Sequence, residues 1–322
     1  MANISITLRC NRDCPYCFAR PGRDGTLSRE MDMDRATFLA ALAFLRRSRL
    51  DQARILGGEP TLHPDFDWFV GEALEQGFRL LVFSNGLMPE AALRRLADAP
   101  ADRVAVLLNV HSPPGPVPVL RRLGRRIVLG FNIHTPAPDL DFLVPLIVEY
   151  DLSRCVRLGL AHPSAGGANV HLRPKRYALV GERIAGFASS AAAEGVSIEF
   201  DCGFVPCMFP AGFLESLAGG PPTIGTRCGV IPDILPDGSA VPCYPLAAFS
   251  KIALSEDVDA ASIREILCER TQGIRTVGIF RDCAQCALRA AKECAGGCLA
   301  AARERLRDAP FLFEAAVHPN RR

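Results

Sequence analysis

A chain of 322 residues that is 49% hydrophobic, with 37 Lys and Arg against 35 Asp and Glu for a formal charge of +2, can bury a large core and has no electrostatic bias toward nucleic acid. No apolar run approaches the roughly 20 residues needed to span a bilayer and no basic and apolar leader precedes Ile4, so membrane and export readings fall away and a soluble cytoplasmic protein is expected. Thirteen cysteines are many for a compartment where disulfides are rare, and their clustering points to metal.

In chain order, Ile4-Ser-Ile-Thr-Leu8 alternates as a strand does and runs into Cys10-Asn-Arg-Asp-Cys14-Pro-Tyr16-Cys17. Three thiolates in one short loop cannot fill a tetrahedral zinc site or all four corners of a cubane, so one metal position stays open. The loop stands at the carboxyl end of a strand, where α/β folds place their chemistry. On spacing alone a zinc knuckle or a disulfide pair is the alternative; a knuckle needs a fourth ligand close by, and the next histidine is His63.

A helix over 34–47 and a strand over 53–57 follow, the strand ending in Gly57-Gly58-Glu59-Pro60. Glycines there admit close approach of backbone to a ligand, and Glu59 can take a positive charge; a tight turn also accounts for the glycines. Beyond a helix over 66–76, a strand over 78–84 ends in Ser84-Asn85-Gly86, and after a helix over 89–97 a strand over 103–110 ends in Asn109-Val-His111-Ser112. Pro113-Pro-Gly-Pro-Val-Pro118 is too proline-rich to begin a helix, which leaves a short one over 117–124. Strands over 126–133 and 155–160 and helices over 139–150 and 174–194 complete the alternation. Six strands with intervening helices predict an α/β fold: a parallel sheet curled into a partial (β/α)6 TIM-like barrel over residues 1–200, open where a substrate enters.

The remainder, 201–322, is a small cysteine-rich extension, with Gly219-Gly-Pro-Pro222 as a flexible join. Cys202, Cys207, Cys228 and Cys243 form one group, Cys283, Cys286, Cys294 and Cys298 a second, and Pro236-Asp-Gly238 is the turn of a hairpin between Cys228 and Cys243. Cys-x2-Cys and Cys-x3-Cys pairs are also zinc-ribbon spacings. Cys155, at the start of a strand, and Cys268, in an amphipathic run, are packing residues.

The first motif, C-x3-C-x-aromatic-C with Tyr16 at the aromatic position, resembles the signature of the radical S-adenosylmethionine (SAM) enzymes. The resemblance implies that Cys10, Cys14 and Cys17 hold a 4Fe-4S cluster whose fourth iron is chelated by SAM, and that reduction yields a 5'-deoxyadenosyl radical. It also implies SAM contacts from Tyr16, Gly57, Gly58, Glu59, Ser84, Asn85 and Asn109. Arg121 would serve the SAM carboxylate, with Arg157 and Arg122 as further candidates, and His111 would face the substrate. The C-x9-G-x4-C then C-x2-C-x7-C-x3-C pattern resembles the SPASM extension of that family, which carries two auxiliary 4Fe-4S clusters.

Here the family's five residues between Cys286 and Cys294 are seven, and no cysteine follows Cys298. The family's ligation would assign Cys228, Cys243 and Cys298 to one auxiliary cluster and Cys283, Cys286 and Cys294 to another, with Cys202 and Cys207 divided between them. An open iron or a single cluster of the shorter Twitch type are the alternatives. The resemblance further implies a flavodoxin or ferredoxin as electron donor and, as substrate, a peptide or protein to be oxidised or crosslinked. Because the chain starts at strand one, a fused leader-recognition domain is not expected and a separate peptide-recognition protein would supply that role. A small-molecule substrate such as a sugar or tetrapyrrole is the second reading, and a non-catalytic iron-sulfur or zinc protein the third.

Overall fold

Ile4 and Ile6, Ala53 and Ile55, Leu80 and Val82, and Val106 and Leu108 recur two residues apart and are buried in one apolar core with residues of the surrounding helices. This periodicity builds the sheet of the protein, seen here in a computed structural model that describes residues 1–19, 27–164, 169–217, 228–229, 231–247 and 249–307. The expected join at 219–222 lies outside the described residues.

Seven parallel strands follow one another in the sheet: β1 (Asn3–Thr7), β2 (Gln52–Gly57), β3 (Arg79–Ser84), β4 (Val104–Asn109), β5 (Ile127–Ile133), β6 (Cys155–Leu160) and β7 (Ser197–Phe200). Between them run α1 (Arg35–Arg47), α2 (Phe66–Glu75), α3 (Glu90–Asp98), α4 (Val117–Leu123), α5 (Leu143–Glu149) and α6 (Tyr177–Ala193). The first six strands lie where the sequence predicts them. β7 is additional; its signal is the short alternation Val196, Ile198, Phe200, placed directly after a helix. Asp34 sets the start of α1 by accepting a hydrogen bond from the Thr37 amide at 2.7 Å.

The sheet is curled. Arg54 on β2 interacts electrostatically with Glu199 on β7 and with Asp201 just beyond it, five strands away, a separation of about 24 Å in a flat sheet. On the same inner face the guanidinium carbons of Arg54 and Arg157 lie 5.4 and 5.7 Å from the Phe83 ring centroid. The architecture is thus an incomplete barrel, as expected.

The cysteine-rich half joins this sheet. β8 (Asp233–Ile234) pairs parallel to β1 on its free edge, and β9 (Ser239–Val241) and β10 (Ile252–Ala253) continue antiparallel, so that the sheet reads β10-β9-β8-β1-β2-β3-β4-β5-β6-β7. The expected hairpin turn is present, with the Gly238 amide donating to Leu235 O at 2.9 Å and Gly238 at φ +74°. The helices α7 (Phe213–Ser216), α8 (Ala260–Arg270), α9 (Gln272–Arg275), α10 (Ala287–Ala290) and α11 (Leu299–Arg307) complete the described chain. Among the described residues no helix is long and apolar enough to cross a membrane.

Candidate active site and cysteine centres

The loop after β1 is held at both ends before its cysteines begin. Leu8 N donates to Met31 O at 2.8 Å, and the Arg9 guanidinium pairs with Asp32 at 2.8 Å, while Asp32 also accepts from Thr7 Oγ1 at 2.6 Å. Gly57 and Gly58 at the end of β2 lie against the same stretch of backbone: Gly58 N donates to Thr7 O at 2.8 Å and Glu59 N to Arg9 O at 2.7 Å. A Cβ on Gly57 would stand 2.2 Å from Thr7 O, and one on Gly58 2.1 Å from Arg9 O. In this structure the two glycines are therefore required for close approach to the chain's own cysteine loop, whereas the sequence reading had them admitting a ligand.

Glu59 is fully buried, and neutral donors surround its carboxylate. It accepts from Thr61 Oγ1 at 2.7 Å, Ser84 Oγ at 2.9 Å and Asn85 N at 2.7 Å. Burial pushes its pKa up, and these bonds only partly oppose the shift. Asn85 extends the chain of contacts, its Nδ2 reaching Asn11 Oδ1 at 3.0 Å and Cys10 Sγ at 3.7 Å. Glu59 thus locks the ends of β2 and β3 together and positions Asn85 beside the first cysteine.

Within the loop Cys17 N donates to Cys14 O at 3.1 Å, a turn that brings the last two cysteines close together. Arg12 N donates to Cys10 Sγ at 3.4 Å and His111 Nε2 lies 3.9 Å from Cys14 Sγ, so a nitrogen stands beside two of the three sulfurs. Tyr16 Oη is 2.6 Å from His111 Nδ1, and its ring stacks on His134 with centroids 4.7 Å apart. Burial, with Arg12 and His134 nearby, lowers the His111 pKa to about 4, so this imidazole is neutral at pH 7. Asn109 accepts from Asn132 Nδ2 at 3.2 Å; the side chains of these two asparagines lie where Cβ atoms on Gly130 and Gly159 would come to 2.8 Å.

Two of the arginine assignments find no support here. Arg121 is exposed on α4 and interacts with Tyr150 at the C-terminal end of α5, the end opposite the barrel mouth, and Arg122 is paired with Glu90 on α3. The reason is helical phase: Val119, Leu120 and Leu123 take the core-facing side of α4 and turn the arginines outward. Arg157 does face the lumen, paired with Asp201 at 3.0 Å. Asn132, His134, His162 and Asn169 were missed by sequence reasoning. A signal exists for three of them: Asn109-Val-His111 at the end of β4 recurs as Asn132-Ile-His134 at the end of β5, and β6 is likewise followed by His162.

The eight later cysteines come together as two fours. Cys202, Cys228, Cys243 and Cys298 interact electrostatically: burial and then the sulfurs of Cys298 and Cys202 push the Cys228 thiol up to about 12, and Cys243 is raised by burial and then by Cys228 and Cys298. Cys207, in the turn 206–208 after β7, is raised by burial and then by Cys294, Cys283 and Cys286. Thiols that oppose one another's ionisation in this way suit a cationic metal core, which deprotonates its ligands outright. Among the described residues no three His, Cys, Asp or Glu side chains close on the point a single ion would occupy; in a cubane each thiolate takes a separate iron corner. Cys155, at the start of β6, is held protonated with a pKa pushed up to about 11 by burial, and Cys268 accepts from Arg275 Nη2 at 3.5 Å on α8.

Residues 4–130 match the model of the Radical SAM superfamily. An S-adenosylmethionine-dependent nucleotide dehydratase of Selenomonas ruminantium is 36% identical over 85 residues, 26% of this chain and 29% of that protein. The tungsten-containing aldehyde ferredoxin oxidoreductase cofactor-modifying protein of Pyrococcus furiosus is 34% identical over 110 residues, 33% and 30% of the two chains. The chain thus matches about a third of the length of these curated relatives. Among solved structures, Streptococcus suis SuiB bound to S-adenosylmethionine is similar with a TM-score of 0.64 at 15% identity, over 92% of this chain and 72% of that one. Native anSMEcpe with bound AdoMet is similar with a TM-score of 0.64 at 16% identity, over 98% of each chain. These two likenesses show the fold.

Proposed function

We propose, from the match of residues 4–130 to the Radical SAM superfamily model, that the chain is a radical SAM enzyme with two auxiliary 4Fe-4S clusters, acting as an oxidative maturase of a peptide or protein. The carrying observation is that the three cysteines at the barrel mouth and the two further cysteine quartets account for eleven of the thirteen cysteines in the chain. Cys10, Cys14 and Cys17 would hold the first cluster, Cys202, Cys228, Cys243 and Cys298 the second, and Cys207, Cys283, Cys286 and Cys294 the third. Bound at the first site, SAM and a reduced cluster supply one-electron cleavage of the sulfonium and abstraction of a substrate hydrogen.

This chain's residues prepare that site. Asn85 and His111 direct N–H groups at Cys10 and Cys14; Tyr16, backed by His134, walls the mouth; Asn109 and Asn132 line it with amides. Neutral His111 and Tyr16 stand above the thiolates as the substrate-side groups. A flavodoxin or ferredoxin is the proposed electron donor and the cytoplasm the proposed location.

Support for a peptide substrate comes from the fold shared over 92% of this chain with SuiB, which has been seen with its precursor peptide SuiA. A second reading, a small-molecule substrate, draws on the nucleotide dehydratase and the GTP 3',8-cyclase of Aliarcobacter butzleri, which match part of the chain. The test is anaerobic reconstitution with iron counting, then dithionite and SAM with detection of 5'-deoxyadenosine. About 12 irons per chain and cleavage that C14A abolishes are expected; cleavage persisting in C14A would overturn the assignment. Stimulation of cleavage by peptide pools but not by nucleotides or sugars would favour the maturase, and the reverse would favour the small-molecule reading.

A further inference from the structure

A histidine outside the cysteine motifs lies against the first quartet. His162, two residues beyond β6, is 5% exposed. Its Nε2 lies 3.2 Å from the Cys202 carbonyl oxygen and 3.7 Å from Cys202 Sγ, and its ring interacts electrostatically with the Cys298 sulfur. A carbonyl oxygen can only accept, so Nε2 carries the proton, and that one N–H is shared between the carbonyl and the sulfur. The ring has a space built for it: a Cβ on Gly203 would stand 2.2 Å from His162 Cε1, so only glycine follows Cys202 without displacing the imidazole.

The backbone of His162 is fixed as well. Asn169, 7% exposed, donates from Nδ2 to His162 O at 2.8 Å and to Tyr16 O at 2.9 Å, and accepts from Ser164 N at 2.8 Å. Through this one amide the residue beside Cys202 and Cys298 is tied to the loop that carries Cys14 and Cys17. Among the described residues no other ring nitrogen hydrogen-bonds a cysteine of the two quartets; in the second, Gly296 N donates to Cys294 Sγ at 3.3 Å and Arg289 Nη1 to the Cys283 carbonyl oxygen at 3.4 Å.

Hydrogen bonds to ligand sulfur withdraw negative charge from an iron-sulfur cluster and raise its reduction potential. We propose that His162 is a positioning residue for the auxiliary cluster of Cys202, Cys228, Cys243 and Cys298, its buried N–H held on the Cys202 sulfur so that this cluster takes an electron more readily than it would without the imidazole. The inference rests on the reading that both quartets hold clusters. In the reaction that reading describes, a substrate radical would give up one electron and be oxidised, and a cluster so tuned would be reduced by that electron.

The test is an EPR-monitored redox titration of reconstituted protein with the wild-type sequence, H162F and H162Q, each matched for iron content. H162F removes the donor and keeps the volume, and one auxiliary midpoint is expected to move to lower potential while the other stays. H162Q places an amide N–H near the position of Nε2 and is expected to recover most of the shift. Unchanged midpoints in iron-replete H162F would overturn the proposal. Folding of the variants is bypassed by the unmodified sequence labelled with 15N-histidine. A weak nitrogen hyperfine coupling on one reduced auxiliary cluster is expected there, and either no coupling or the strong coupling of a directly bound nitrogen would overturn the proposal. Iron near four per chain with no auxiliary signal would instead overturn the cluster reading on which it rests.

Discussion

Gly181 and Gly186 both lie in α6, five residues apart, and their replacement by alanine separates a helix effect from a site effect. Nothing lies within 4 Å of a Cβ on Gly186, which is exposed. A Cβ on Gly181 would stand 1.8 Å from Met208 O and 2.7 Å from Met208 C. Both contacts are to backbone, so no rotamer change relieves them, and the turn 206–208 must move by roughly 1.5 Å to reach ordinary contact. Alanine gains about 1 kcal/mol over glycine in a helix interior, and that gain is common to both variants. Forcing an extra methyl into a packed contact costs about 1–3 kcal/mol. G186A is therefore expected to be more stable than the parent by about 1 kcal/mol, and G181A less stable than G186A by about 1–3 kcal/mol, read from urea unfolding of the two proteins side by side. The displaced turn carries Cys207, so G181A is also expected to lose about four irons per chain while G186A keeps all of them. Equal unfolding midpoints, or full iron in a destabilised G181A, would refute the packing of the 206–208 turn on α6 or the place of Cys207 in the second quartet.

Three further outcomes follow from the buried groups. Asp233, 5% exposed, has its pKa raised to about 7, first by burial and against the hydrogen bond from Asn3 at 2.7 Å. The folded state holds this proton more tightly than the unfolded chain, so the stability it contributes is full below about pH 4 and is lost as pH rises through about 7. Relative to D233N, the parent should lose about 4 kcal/mol between those limits, and a pH-independent difference would count against the burial of this carboxylate. G58A, whose Cβ would meet Arg9 O at 2.1 Å, should fail to retain the first cluster, which iron counting would show as a loss of about four irons. Cys155, its pKa near 11, should resist iodoacetamide at pH 8 in the folded protein, and C155S should keep full iron; rapid alkylation or loss of iron would overturn its role as a packing residue.

Periodicity along the chain is a local property, and it was enough to place six of the seven strands from β1 to β7 and to show that the cysteine trio follows the first of them. β7 was passed over because its four residues offer a single alternation at the end of a long helix. The first cluster site was legible for the same local reason: its three cysteines fall within eight residues of one loop. Glu59 was legible as a carboxylate at the right strand end, yet its use as a buried lock between β2 and β3 depends on Ser84 and Asn85 arriving from the neighbouring strand.

The sequence by itself determined the alternating α/β barrel, the trio Cys10, Cys14 and Cys17, and the presence of eight further cysteines in metal-like spacing. Only the tertiary structure set Cys202 with Cys228, Cys243 and Cys298 and Cys207 with Cys283, Cys286 and Cys294, turned Arg121 away from the mouth and brought His162 to Cys202. The physical reason is sheet order. Placing β8 beside β1 and curling the strands from β1 to β7 brings residues 202, 243 and 298 within reach of one another, and such contacts between distant segments are set by packing rather than by the spacing of neighbours along the chain.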